Sequence, residues 1–307
     1  MKKFNFIFAK FLILTSLFLF SCQSIKVQEN YDFPLQEEFF IPQEFTWQKI
    51  EDGIELTSFE NLEIPLKYFV VKIDLQNPKL ELKIFPQAEN FSHTSSNQNH
   101  KAKYFKSQST QNFSKKNDCL VAINAAPFNT STKLLGFFSD KRQILGIHKV
   151  QNVKLNPCVQ KYSALGISKI YSEELNQEIY VPQIYENQND AEFKNEENVL
   201  GGFFTILKDS KITQNFNIEL HDARIAVAYP QDKKFLYLLA VEKYKDESIG
   251  LSFLECAFIF KALNCSDAME FDGGSSSQLI VKNQNVLKSS FTKIQASSFG
   301  FKIDGLE

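Results

Sequence analysis

Positive charge is not in excess in this chain: 34 Lys and Arg stand against 36 Asp and Glu over 307 residues. No basic cluster or stripe is present either, which excludes nucleic acid as a partner class. Histidine is scarce, with only His93, His100, His148 and His221, and no HxxxH spacing among them. None of the five cysteines forms a CxxC pair. Both zinc patterns are therefore missing, and neither a metal nor a cofactor is expected. Long apolar runs are almost absent; "FLILTSLFLF" (residues 11–20) is the exception, and it is too short to span a bilayer comfortably. What the chain does have is a 43% hydrophobic content, ample for a buried core.

The apolar run follows a positive start, Lys2, Lys3 and Lys10, and ends in "LFSC". That pattern is a signal peptide. Leu19, Ser21 and Cys22 resemble a bacterial lipobox, with Phe20 bulkier than usual there; the other reading is a secreted protein cut nearby. The expectation is a lipoprotein signal peptide over residues 1–21, then lipidated Cys22 and a flexible tether over 22–45, rich in Gln and Glu and carrying Pro34 and Pro42. A single domain follows over 46–307. The protein is thus expected to be exported and lipid-anchored in the bacterial envelope, on the periplasmic side or the cell surface. In an oxidising compartment Cys119, Cys158, Cys256 and Cys265 would form one or two disulfides.

Strand-like runs dominate the domain. "KYFVVKIDL" (67–75) and "KLELKIF" (79–85) flank Gln76-Asn77-Pro78, a hairpin signal. "KYFKSQSTQNFSKK" has the character of a surface helix, and "CLVAINAAPF" that of a buried strand ending near Asn124. Residues 134–146 suit a hairpin turning at Ser139-Asp140, and residues 171–198 a polar surface excursion. "ARIAVAYP" and "KFLYLLAVE" form a second hairpin, "LSFLECAFIFKAL" (251–263) a buried helix, and "AMEFD" the strand after it. The pattern predicts an α+β fold, a mixed and largely antiparallel sheet with flanking helices.

Chemistry concentrates in "EFDGGSSSQLI", residues 270–280. On a strand, Glu270 and Asp272 share a face. Gly273 and Gly274 let amide N–H groups converge on an anion, and Ser275 and Ser276 add hydroxyl donors. A plain turn capped by Asp272 is the competing reading. Arg224, opening an apolar strand, needs a partner, either a phosphate or a carboxylate such as Asp222. Asn124 at a strand end suits a ligand hydroxyl or a closed turn equally. Glu242 closes another strand as a second catalytic carboxylate or as a solvated end. The hairpin register decides whether it meets Arg224.

The succession "VVKIDLQNP", "VAINAAPFN", "LGFFSD", "LGGFFTILKDSKI", "DARIAVAY" and "IGLSFLECAFIFKALNCSDAMEFDGGSSSQLI" resembles the motifs of the phosphodiester glycosidase family. The resemblance implies hydrolysis of a glycosyl-1-phosphodiester bond, between a sugar's anomeric carbon and phosphate. It also implies that Asn124, Arg224, Asp272, Gly273, Gly274, Ser275 and Ser276 line the site. Asp272 is then the expected catalytic carboxylate, with Glu270 or Glu242 as the second. Partners would be a phosphorylated glycan or glycolipid substrate and, through lipid on Cys22, the membrane. The chain departs from the family at Ala125-Ala126, Ile225 and Ser275, positions usually filled by Gly-Gly, Thr and Gly. Those departures keep a second function in view, a non-catalytic lipoprotein binding phosphorylated glycans in the same pocket.

Overall fold

The computed structural model describes residues 33–91, 104–132, 138–213, 216–288 and 293–305. Cys22, the signal segment and the first part of the tether lie outside them. Residues from Phe33 onward form one compact unit. The apolar runs become strands because each can bury one or both faces against another sheet. Eight strands make the largest sheet, in the order Gln48–Glu51, Ile54–Asn61, Leu66–Asp74, Phe235–Val241, Arg224–Tyr229, Asp267–Glu270, Thr205–Lys208 and Lys211–Ile212. A second sheet has the order Gln284–Asn285, Leu279–Val281, Val121–Asn124, Ser298–Ile303 and Leu80–Phe85. A third runs Val153–Asn156, His148–Val150, Asn198–Gly201, Ala164–Ser172 and Gln177–Tyr185.

One core joins the three: Val71, Ile225 and Met269 from the first, Ile123, Leu279 and Phe299 from the second, Leu165 and Leu200 from the third. Every strand pairing among the described residues is antiparallel. The fold is therefore predominantly β, and the expected mixed sheet is replaced by antiparallel ones. The expected flanking helices shrink to two among the described residues, α1 (Thr110–Lys116) and α2 (Phe253–Ala262).

Helix α2 covers the strands Thr205–Lys208 and Asp267–Glu270 of the largest sheet. Its near-continuous apolar sequence follows from burial: Cys256, Ala257, Ile259 and Phe260 are all inaccessible. Ser252 caps its N-terminus and Glu255 completes a capping box. Glu255 also accepts hydrogen bonds from the Leu35 amide (3.0 Å) and lies 2.6 Å from His221 Nε2. Burial works to raise the Glu255 carboxyl, but the His221 and Ser252 hydrogen bonds outweigh it and hold it below its usual value.

Several expectations change. Residues 33–45 are packed chain rather than tether: Leu35 and Phe40 are buried, and Tyr68 donates to the Phe40 carbonyl at 2.8 Å. Gln76-Asn77-Pro78 does not close a hairpin, because Leu66–Asp74 and Leu80–Phe85 join different sheets. Ser139-Asp140 sits inside the strand Phe138–Ile144 instead of turning the chain. The polar stretch 171–198 contains Gln177–Tyr185, paired along its length with Ala164–Ser172. The four cysteines beyond Cys22 are free thiols. The Cys158 thiol donates to Asp190, while Cys256 and Cys265 are wholly buried on and just after α2.

Candidate active site at the junction of two sheets

The glycine-serine corner is a covalent bridge between sheets. The strand Asp267–Glu270 ends the chain's run in the largest sheet, and Leu279–Val281 begins again in the second. Asn124, at the end of Val121–Asn124, staples the bridge from the side. Its Nδ2 donates to the Asp272 carbonyl at 2.7 Å, and its Oδ1 accepts from the Gln278 amide at 2.9 Å. One side chain thereby holds both feet of the corner. Both polar atoms of Asn124 bond the backbone, which is the turn-closing role.

The neighbours of the corner are backbone. The Asp272 amide donates to the Ala125 carbonyl (2.9 Å) and the Gly274 amide to the Ala223 carbonyl (2.7 Å). Ser276 and Ser277 donate back to Gly273 and Gly274 in a single 3₁₀ turn. These bonds spend most of the amides expected to cradle an anion; those of Gly273 and Ser275 stand outside this network. Glycine is required twice. A Cβ on Gly273 would stand 2.7 Å from the Ala223 carbonyl oxygen, and Gly274 adopts φ +57 beside the Asp222 carboxylate.

Asp272 is the polar centre of this corner. Burial pushes its carboxyl up to about 6, while the Ser276 hydroxyl and the Lys293 ammonium pull the other way. Lys293 Nζ donates to Ser275 Oγ at 2.6 Å and lies 5.9 Å from the centre of the half-buried Phe128 ring. The Lys293 backbone is placed by Gln278, whose Nε2 donates to the Lys293 carbonyl at 2.8 Å. Sequence reasoning missed Lys293. It is a lone cation in a polar stretch, brought to the corner by the Gln278 and Gln295 side chains and by the bond of the Gln295 amide to the Gln108 carbonyl.

The other expected groups are not gathered here. Arg224 stacks its guanidinium over Phe253 of α2 at 4.0 Å, donates from Nε to the Leu251 carbonyl (2.9 Å) and from Nη2 to the Leu220 carbonyl (2.7 Å). Backbone carbonyls rather than Asp222 therefore supply its protein partners. Glu270 faces Ala226 across the ladder, so it shares a face with Arg224. It is fully buried and neither of its carboxyl oxygens has a hydrogen-bond partner. Burial raises the carboxyl to about 8, against the opposing pull of Arg224 and the Cys256 thiol. Glu242 is also buried; its Oε2 accepts from the Lys288 amide at 2.5 Å and its Oε1 is unpartnered. The register pairs Arg224 with Val241, so Arg224 and Glu242 lie on opposite faces. Among the described residues, no group of three or more His, Cys, Asp or Glu is placed to hold a metal ion.

A family model for phosphodiester glycosidase matches residues 117–299. That span includes Asn124, Arg224, the whole corner and Lys293. Among solved structures, a hypothetical protein from Synechocystis superposes with a TM-score of 0.59 at 14% identity, over 85% of this chain. The chain spans 64% of that protein's length. The catalytic domain of zebrafish N-acetylglucosamine-1-phosphodiester alpha-N-acetylglucosaminidase, auto-inhibited by its pro-peptide, superposes with a TM-score of 0.56 at 14% identity. There the overlap is 84% of this chain and 87% of that one. Comparison with curated proteins found no match.

Proposed function

The chain belongs to the phosphodiester glycosidase family, and we propose that it hydrolyses a glycosyl-1-phosphodiester bond in envelope or extracellular glycoconjugates, with Asp272 as its catalytic carboxylate. One observation carries the assignment of the residue. Within the family-matched span, Asp272 alone among the expected carboxyls stands with serine hydroxyls and a cation at a corner stripped of side-chain bulk. A carboxyl titrating near 6 is ionised at neutral pH yet basic enough to take a proton.

The chemistry is a displacement at the anomeric carbon. Asp272 takes a proton from water as the water oxygen bonds to that carbon, and the carbon–oxygen bond to phosphate breaks. The bonding pair leaves with the phosphate, which departs as a monoester. Such a leaving group needs its charge met more than it needs a proton donor. Support for the envelope setting comes from the sequence through Cys22. Radiolabelled palmitate is expected to enter the wild type in a bacterial host and not Cys22→Ser.

The test incubates the purified chain with an N-acetylglucosamine-1-phosphodiester and measures released sugar. Release by the wild type and not by a folded Asp272→Asn establishes activity and centre together. Release by both moves the carboxylate elsewhere. Saturable binding with no product from either, across several sugars, supports the glycan-binding alternative.

A further inference from the structure

We infer that Lys293, seated on Ser275 and walled by Phe128, is the cation that binds the phosphate of the substrate and neutralises it as it leaves, the role that sequence reasoning gives to Arg224. The inference deepens the function proposed above and rests on it only for the name of the substrate. The seat itself stands on geometry.

Arg224 is already anchored and covered. Two backbone carbonyls fix Nε and Nη2, the ring of Phe253 covers the guanidinium, and the residue is only 7% exposed. Three of its five N–H groups remain unspent, but an anion reaching them would have to pass the Phe253 ring of α2 to a residue that is almost wholly buried. Nor does its charge figure among the groups acting on Asp272, which are Ser276 and Lys293. Lys293 is half-buried, and its ammonium has three donors on a rotatable head. One of the three is spent on Ser275 Oγ. The ammonium and the Ser275 hydroxyl together can therefore offer donors to a phosphate oxygen, beside the Ser275 amide that the turn leaves unspent.

The placement is specific in a second way. Asn124 holds Gln278, Gln278 holds the Lys293 carbonyl, and Gln295 Nε2 donates to the Ser276 carbonyl at 2.8 Å. Lysine and corner are thus tied to each other through three amide side chains. The Phe128 ring, within cation–π reach of the ammonium, limits where its head can swing. Because Lys293 also faces Asp272, an anion bound to it lies beside the carboxylate that must work at the adjacent carbon. Among the described residues, Asp272 feels the charge of Lys293, and Arg142 lies against the same Phe128 ring, 5.4 Å from its centre.

The experiment uses the purified full chain as wild type, Lys293→Met and Lys293→Arg. Calorimetry with inorganic phosphate reads the seat directly, and turnover of the sugar-1-phosphodiester reads its use. Phosphate affinity is expected to fall at least about tenfold in Lys293→Met and to return within a few fold in Lys293→Arg, since charge and donors return with it. The kcat/KM of Lys293→Met should fall by about 10²-fold, as for removal of one donor to a developing charge. Its acid limb should move to higher pH, because Asp272 loses its stabilising cation. Equal phosphate binding by wild type and Lys293→Met, or no phosphate binding by the wild type, would overturn the inference. So would lost turnover with an unmoved acid limb. A wild type that binds phosphate through Lys293 yet cleaves no sugar phosphodiester would instead count against the proposed hydrolysis and leave the seat standing.

Discussion

Glu270 and Asp272 are two residues apart, and both carboxyls are pushed above their ordinary values by burial. Their surroundings differ in kind. Glu270 lies under α2, in a pocket shared with Arg224 and the Cys256 thiol, and neither oxygen has a donor at hydrogen-bond geometry. Asp272 stands past the end of the ladder, with a hydroxyl, a mobile-headed cation and glycine backbone around it. At neutral pH the first holds its proton and the second has lost it. A raised pKa therefore marks burial in one place and a candidate reactive group in the other; only the company of the carboxyl separates them.

The sharpest way to break this comparison is to neutralise each carboxyl in turn. Asp272→Asn should cost at least about 10³-fold in kcat/KM, within the range of general acid–base catalysis, whereas Glu270→Gln should leave turnover within a few fold. Wild-type kcat/KM should rise through pH about 6 as Asp272 ionises, and a flat profile there would remove Asp272 from the chemistry. Equal losses in the two variants would erase the distinction.

Stability separates the two carboxyls by pH window rather than by sign, since both are raised. The unfolded chain releases the Glu270 proton near 4.5 and the folded chain near 8, so between those values the folded state holds more protons. Stability then falls as pH rises across that window, by a few kcal/mol at most on about 1.4 kcal/mol per unit. Glu270→Gln should flatten that fall, read as urea midpoints at pH 5 and pH 8. Asn124→Ala frees both feet of the corner and leaves a buried carbonyl and amide unanswered, about 1–3 kcal/mol. Its activity should drop with the fold retained. Smallest is Ser252→Ala, which removes the α2 cap at about 1 kcal/mol and lowers the melting temperature without touching Asp272.

Much of the architecture could be read from residue pattern, for local reasons. Val121–Asn124, Arg224–Tyr229, Phe235–Val241 and α2 are short, largely apolar segments with clear ends, and burial makes such segments regular. Turn chemistry was less informative at Asn77-Pro78, because a turn signal does not say which sheet the next strand joins. The corner was legible from its glycines and acid. Arg224 was legible as a buried cation in need of partners, but not that carbonyls of Leu220 and Leu251 would be those partners. Lys293 left no local trace at all, since its importance comes only from strand pairing and two glutamines.

The stapling of the corner by Asn124 carries one more consequence. The Gln278 amide is bonded to a side chain of the second sheet, and the Asp272 amide to the Ala125 carbonyl beside it. Both protons are expected to exchange slowly, because each is bonded across the seam between two packed sheets. In hydrogen-exchange terms the candidate corner is expected among the slowly opening parts of the molecule, unlike the surface loops that often carry active sites. While Asn124 is in place, its geometry is then expected to last nearly as long as the fold around it.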